Sequence, residues 1–171
     1  HKIDYEFIGI KKIGTDYAFC PLGEMSRQKD LRSKVHIFTH DKLNSIGDEI
    51  SALSTSWFKR SIKEKGRPKI ESLRNNLSNV FKNYFECESR ERMWSCISRF
   101  RTHLTGKGYS RSFVSYNQKA TNKYRHKKCL AYCTNVYMNP LIKNYFIKRG
   151  ANPINEEGYA LSIFVQWLFR S

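Results

Sequence analysis

Residues 106–140 read GKGYSRSFVSYNQKATNKYRHKKCLAYCTNVYMNP, and residues 156–171 close the chain with EEGYALSIFVQWLFRS. A glycine-bounded apolar run, 109–116, stops at a polar cluster of Asn117, Gln118, Thr121 and Asn122. The pattern predicts a strand over 109–116, a polar turn, and a helix over 122–138. Strand, turn and helix in that order are how α/β folds present ligand-binding groups at the carboxyl ends of their strands. The closing segment predicts a second, nearly all-apolar helix carrying Gln166 and Arg170 at i and i+4, which puts both on one helix face.

Upstream, the same alternation of strands and helices continues. Residues 93–104 and 68–85 both carry apolar positions at helical spacing; the second stripe holds Ile70, Leu73, Leu77, Val80, Phe81, Tyr84 and Phe85. Pro68 suits the first turn of that helix. Residues 41–53 predict a further helix, with Leu43, Ile46, Ile50 and Leu53 on one face. β-Formers at 5–13, 17–20 and 35–39 predict short strands, and 21–34 a polar loop. Residues 141–148 predict a short helix between Asn139-Pro140 and Gly150. The expected architecture is one α/β domain over 1–171, RecA-like and helix-rich, with helices on both faces of a mostly parallel sheet.

Charge is the most informative bulk property. Thirty-one Lys and Arg against 15 Asp and Glu give a formal net charge of +16. A balance this basic calls for a polyanionic partner, and nucleic acid is the first candidate, DNA ahead of RNA. A membrane is not expected, because no run of about 18 apolar residues occurs. Five cysteines without framework spacing predict reduced thiols and a cytoplasmic setting, bacterial or phage-infected. Two stretches mix aromatic and basic residues suited to track a backbone and stack on bases: Trp57 with Lys59 and Arg60, and the run Lys123, Arg125, Lys127 and Lys128. Against this, Trp57 and Phe58 also suit core anchors flanked by a solvated basic surface. The start at His1 and the absence of a helix cap at Ser171 predict a piece of a longer protein.

The strings GKGYSRSFVSYNQKATNKY, NVYMNP and YALSIFVQWLFRS, with LSTSWFKR and IESLRNNLSNVFKN before them, resemble the C-terminal part of DEAD/DEAH-like superfamily-2 helicases of phages and mobile elements. The resemblance covers roughly residues 50–171 and implies the second RecA-like domain of such an enzyme. Gln166-Trp167-Leu168-Phe169-Arg170 is similar to the start of the helicase motif Gln-x-x-Gly-Arg-x-x-Arg, with Phe169 where glycine is usual. The resemblance implies that Arg170 is an arginine finger on the ATP γ-phosphate and that Gln166 helps place the nucleotide. A guanidinium suits that task, since it is always charged and forks onto phosphate oxygens. The turn 117–122 resembles the motif coupling the nucleotide site to nucleic acid, with Asn117, Thr121 and Asn122 as the implied contacts. ATP and magnesium would then bind in a cleft completed by an N-terminal motor domain.

This chain alone is expected to hold no cofactor and to turn over no ATP. No Gly-x-x-x-x-Gly-Lys-Ser/Thr phosphate loop occurs, and Asp48-Glu49 lacks the apolar strand of a metal-binding acidic motif. Other classes stay open at this level. A non-catalytic DNA- or RNA-binding module fits the charge, and a nuclease pairing His103 or His126 with Glu86, Glu88 or Glu91 is a rarer arrangement. His36, His40, Cys129 and Cys133 have tolerable zinc spacing, yet buried thiols and a surface histidine explain them better.

Overall fold

A computed structural model of the chain describes residues 8–14, 16–21, 34–118, 122–150 and 155–169. They fall into two compact units, His1–Thr39 and His40–Ser171. In the first unit, β1 (Ile8–Ile13) and β2 (Asp16–Pro21) form an antiparallel hairpin, in register from Ile8↔Pro21 to Ile13↔Asp16. Gly14 turns the chain at φ 62°, a left-handed conformation that glycine adopts without a Cβ penalty. The strand expected over 35–39 does not form; Ile37 is exposed there.

The second unit is built on two parallel strands, β3 (Arg92–Cys96) and β4 (Cys129–Cys133), paired from Arg92↔Cys129 to Cys96↔Cys133. Both were expected to be helical, within 93–104 and 122–138. In β3 the difference has a physical cause: Met93, Trp94, Ser95 and Cys96 are all buried, so neither face leaves an alternating polar signature, and in β4 the short run CLAYC has no polar alternation to read. The strand expected over 109–116 is shorter than its composition suggests. A 3-10 turn at Ser110–Ser112 takes up its first half, and only Phe113 pairs, in parallel, with Trp94. Tyr109 anchors that segment, its hydroxyl donating to the Leu104 carbonyl at 2.5 Å. A Cβ on Gly106 would meet the Tyr109 ring at 2.7 Å, so glycine is what lets the chain pass this close.

Helices α1 (Thr55–Lys63) and α2 (Pro68–Asn79) follow a stretch, 41–53, whose expected helix reduces to a 3-10 turn at Ser45–Asp48. Pro68 occupies the first turn of α2, and a π turn at Val80–Tyr84 continues it. After β3 come a 3-10 turn at Ser98–Phe100 and the single-turn helix α3 (Arg101–Leu104). Helix α4 (Pro140–Lys148) begins at Asn139, whose side chain caps the Leu141 N–H, and α5 (Glu156–Leu168) begins at Asn155, which caps Gly158.

Two apolar clusters hold the unit. The larger joins Trp57 and Phe58 of α1, Ile70, Leu73 and Leu77 of α2, Phe81, Trp94, Phe100, Leu104 and Tyr109. Trp57 is only 1% exposed, which corrects its assignment as a nucleic-acid contact: its ring is a core anchor and presents no face to a base. The smaller cluster, Met93, Val114 and Trp167 with Tyr132 and Phe164, fastens α5 to the sheet. The Trp167 indole also donates to the Val114 carbonyl at 3.2 Å. The cysteines depart from the expectation of reduced thiols. Cys87 and Cys129 form a disulfide across 42 residues, while Cys96 and Cys133 remain free and buried. Cys129, being bonded to Cys87, is not free to ligate zinc. Among the described residues no helix is long and apolar enough to cross a membrane.

Trp167 is the one fully buried side chain of α5. Trp167→Ala is expected to destabilise the unit by about 3–5 kcal/mol, read from urea midpoints, with the loss of fixed α5 structure visible as faster amide exchange along 156–168.

Candidate functional site

Parallel pairing sends both strands toward the same edge, and a groove of about 1280 Å³ lies there. Ile97, Ser98 and Arg99 follow β3 into it, and Thr134 and Asn135 follow β4. The N-terminus of α1 forms a third wall, through Ser54, Thr55, Ser56 and Lys59. Asn117, from the turn after Phe113, and Gln166, from α5, complete it.

Hydrogen bonds fix these walls to one another. The Asn135 N–H donates to the Leu53 carbonyl at 3.1 Å, tying the end of β4 to the residue before the α1 cap. Leu53 holds a left-handed φ of 61°, a strained conformation for a branched side chain and one that concentrates at functional sites. Ser54 then caps the helix by accepting the Trp57 N–H at 3.2 Å. Arg99 donates from Nη2 to Thr55 Oγ1 at 3.0 Å while its guanidinium lies 5.0 Å from the Phe100 ring centroid. Phe100 stacks on Phe58 at 4.9 Å, so the core aromatic pair holds α1 and the turn after β3 in one frame. On the other side, Ser98 and Ser115 share a hydroxyl contact of 3.2 Å, and Ser115 donates to the Asn117 side-chain oxygen at 2.5 Å.

The charge balance of the groove is one-sided. Lys59 and Arg99 line it, neither has an ion-pair partner among the described residues, and no carboxylate, histidine or cysteine is among the lining residues. Such a wall can bind an anion through charge and hydrogen bonds. It offers no general acid–base pair.

Residues 29–171 match the family described as the YonV C-terminal Rossmann-like domain. The chain belongs to that family. It is 39% identical, over 176 aligned residues and 99% of its own length, to the SPbeta prophage-derived uncharacterized protein YonV of Bacillus subtilis (strain 168), and it spans about 40% of that protein. No solved structure matches it. The α/β class expected from the sequence thus holds as a Rossmann-like domain, and the groove occupies the edge where such folds place ligands.

In this YonV-family domain the residues singled out from the sequence divide between two ends of the strand pair. Lys59, Asn117 and Gln166 meet in the groove. Lys123, Arg125, Lys127 and Lys128 precede β4 and lie at the opposite, amino end, about 16 Å away by the length of a five-residue strand. There Lys127 Nζ donates to the Arg90 carbonyl at 2.6 Å, with burial lowering its pKa, and Lys128 pairs with Glu91 at 2.7 Å. Arg60 is tied to Glu49 on the outer side of α1. Asn122 has its backbone in a 3-10 turn, Asn122–Tyr124. Thr121 and Arg170 lie outside the described residues.

Sequence reasoning passed over Ser54, Thr55, Ser56, Arg99 and Thr134. A signal existed for the first three, since Ser-Thr-Ser directly before an amphipathic run is a helix N-terminus signature. Beneath the groove, burial pushes the thiols of Cys96 and Cys133 from 9.0 up to about 12. Both should resist iodoacetamide at pH 8.5 in the native protein and react once it is unfolded, as peptide mass spectrometry would read. The unfolded chain releases these protons first, so stability contributed by the neutral thiols should be lost as pH rises from about 9 toward 12.

Proposed function

We propose that this domain binds nucleic acid through the groove at the carboxyl edge of β3 and β4, without cleaving it. The observation that carries the reading is the pair of unneutralised cations, Lys59 and Arg99, in a groove without a carboxylate. Amides of Asn117, Asn135, Asn139 and Gln166 offer further hydrogen bonds to sugar and phosphate, and Tyr116, Tyr137 and Tyr159 supply rings for stacking. The net charge of +16 favours the same class of partner.

A motor is the second, finer reading, supported by Gln166 and Asn117 facing one groove. In it, the domain is the C-terminal half of an ATP-dependent helicase, Arg170 reaches the ATP γ-phosphate, and Gln166 places the nucleotide. The groove contributes no carboxylate to hold magnesium, so the metal ligands and phosphate loop would come from a partner N-terminal domain. ATP turnover by this chain alone that disappears in Arg170→Ala would contradict that division of labour.

Fluorescence anisotropy with a single-stranded oligonucleotide across a salt series tests the main reading. Lys59→Ala and Arg99→Ala are each expected to weaken binding and to reduce the slope of log K against log salt by about 0.7. Unchanged slopes in both variants, with binding intact, would move the interface elsewhere.

A further inference from the structure

Helix α5 is apolar on more than one side. After Glu156 and Glu157 no charged residue occurs as far as Phe169, yet Trp167 is the one buried side chain of the helix. A helix apolar all round is ordinarily enclosed. Leu161, Val165 and Phe169, at i, i+4 and i+8, instead form a stripe that is 59, 37 and 49% exposed, and none of the three lines the groove. Helix α4, whose Lys143 pairs with Glu156 at 3.2 Å, buries none of its residues. Among the described residues, eight of the twelve exposed large apolar side chains stand on these two helices. Eight such side chains present on the order of 800 Å², about what each partner contributes to a stable interface.

Charge narrows the choice of occupant. The stripe carries no cation, and α5 opens with two carboxylates, which a nucleic-acid strand or an anionic bilayer would repel. A second copy of the chain meets each feature of the face. Gly158 and Ser162 lie on the same side of α5 as the stripe, three residues before Leu161 and Val165. Antiparallel packing with Phe169 opposite Gly158 also sets Val165 opposite Ser162, a large side chain against a small residue at both levels. The Ser162 hydroxyl donates to the Tyr159 carbonyl at 2.8 Å, so it needs no partner across the seam. The same register brings Glu157, which has no ion-pair partner among the described residues, to position 170 of the other copy, an arginine. Antiparallel helices also oppose their dipoles favourably.

We infer that α5, flanked by α4, is the interface of a two-fold symmetric dimer in which a second copy packs antiparallel along Leu161, Val165 and Phe169. Such an interface is isologous, each copy offering the same stripe. Tyr159, Ile163 and Gln166 meet the groove from another side of α5, so the contact goes beyond the nucleic-acid reading and does not depend on it.

Sedimentation velocity of the full chain, freed of nucleic acid by nuclease and high salt, tests this over a concentration series. A dimer is expected, tighter at high salt, because salt screens the repulsion between two copies of a +16 chain. Leu161→Asp and Val165→Glu should each weaken association at least about tenfold. Both positions are exposed, so the melting temperature of the dissociated chain should not change. Ile50→Glu, at an exposed apolar position outside both helices, should leave the dimer intact. At low salt Glu157→Arg and Arg170→Glu should each weaken self-association. Mixing those two variants should recover it, since the mixed dimer restores opposite charges at both ends of the seam. A monomer at every concentration, a dimer indifferent to both stripe substitutions, or one that dissociates as salt rises overturns the proposal. A monomer that floats with phosphatidylglycerol vesicles, and ceases to in Val165→Glu, assigns the face to lipid and overturns it too. A mixture that recovers nothing refutes the antiparallel pairing.

Discussion

Parallel pairing of β3 with β4 is the constraint on which the groove depends. Antiparallel strands would send Ile97 and Thr134 to opposite ends of the sheet; parallel ones deliver Ser98, Arg99, Thr134 and Asn135 to one edge. Parallel pairs also need both faces covered, and the chain meets that need asymmetrically. Trp94, at the middle of β3, is fully buried, donates to the Tyr109 carbonyl at 2.9 Å and meets the rings of Tyr109 and Phe113 edge-on. On β4, Tyr132 meets Phe164 and Trp167 of α5 at 4.9 and 5.2 Å. Aromatic packing of this kind both stabilises the strands and fixes where the helices stand.

From that frame the groove edge inherits its rigidity. Arg99 could swing freely on a loop, yet it is held between Phe100 and the Thr55 hydroxyl. Phe100 in turn stacks on Phe58 inside the main core. Cation, helix end and core are thus linked through three adjacent side chains, and a displacement of one costs packing in the others. Pre-positioned charge of this sort binds an anion without first having to organise flexible side chains.

Much of the periphery was legible in the sequence, and the centre was not. The β1–β2 hairpin, α2 behind Pro68, α4 behind Asn139-Pro140 and α5 behind Asn155 all announce themselves through turn and cap chemistry that acts locally. β3 and β4 carry no such signal. β3, buried on both faces, has no period of two, and the five apolar residues CLAYC of β4 suit a helix as well as a strand until a neighbour is known. The same limit hid Thr134 and Arg99. Their significance comes from the Asn135–Leu53 and Arg99–Thr55 bonds, which join positions 82 and 44 residues apart. Asn117 and Gln166 were identifiable because a polar residue that ends or interrupts an apolar run stands out by itself.

Net charge and the charge left in the groove are different quantities, and the reason lies in neutralisation. The run from Lys123 to Lys128 has the densest positive charge in the sequence, yet its Lys128 is paired with Glu91 and its Lys127 is spent on the Arg90 carbonyl. Those bonds brace the loop that leads into β4, a structural task at the amino end of the strands. Arg60 and Lys69 are likewise engaged by Glu49, whose carboxyl the Lys69 hydrogen bond holds below the usual range. Lys59 and Arg99 are fewer but uncompensated. An exposed ion pair presents little net field to an approaching anion, whereas two unpaired cations at a helix end within a concave wall reinforce one another. Local charge left over after pairing, and not the density of basic residues along the chain, therefore sets the field at the carboxyl edge.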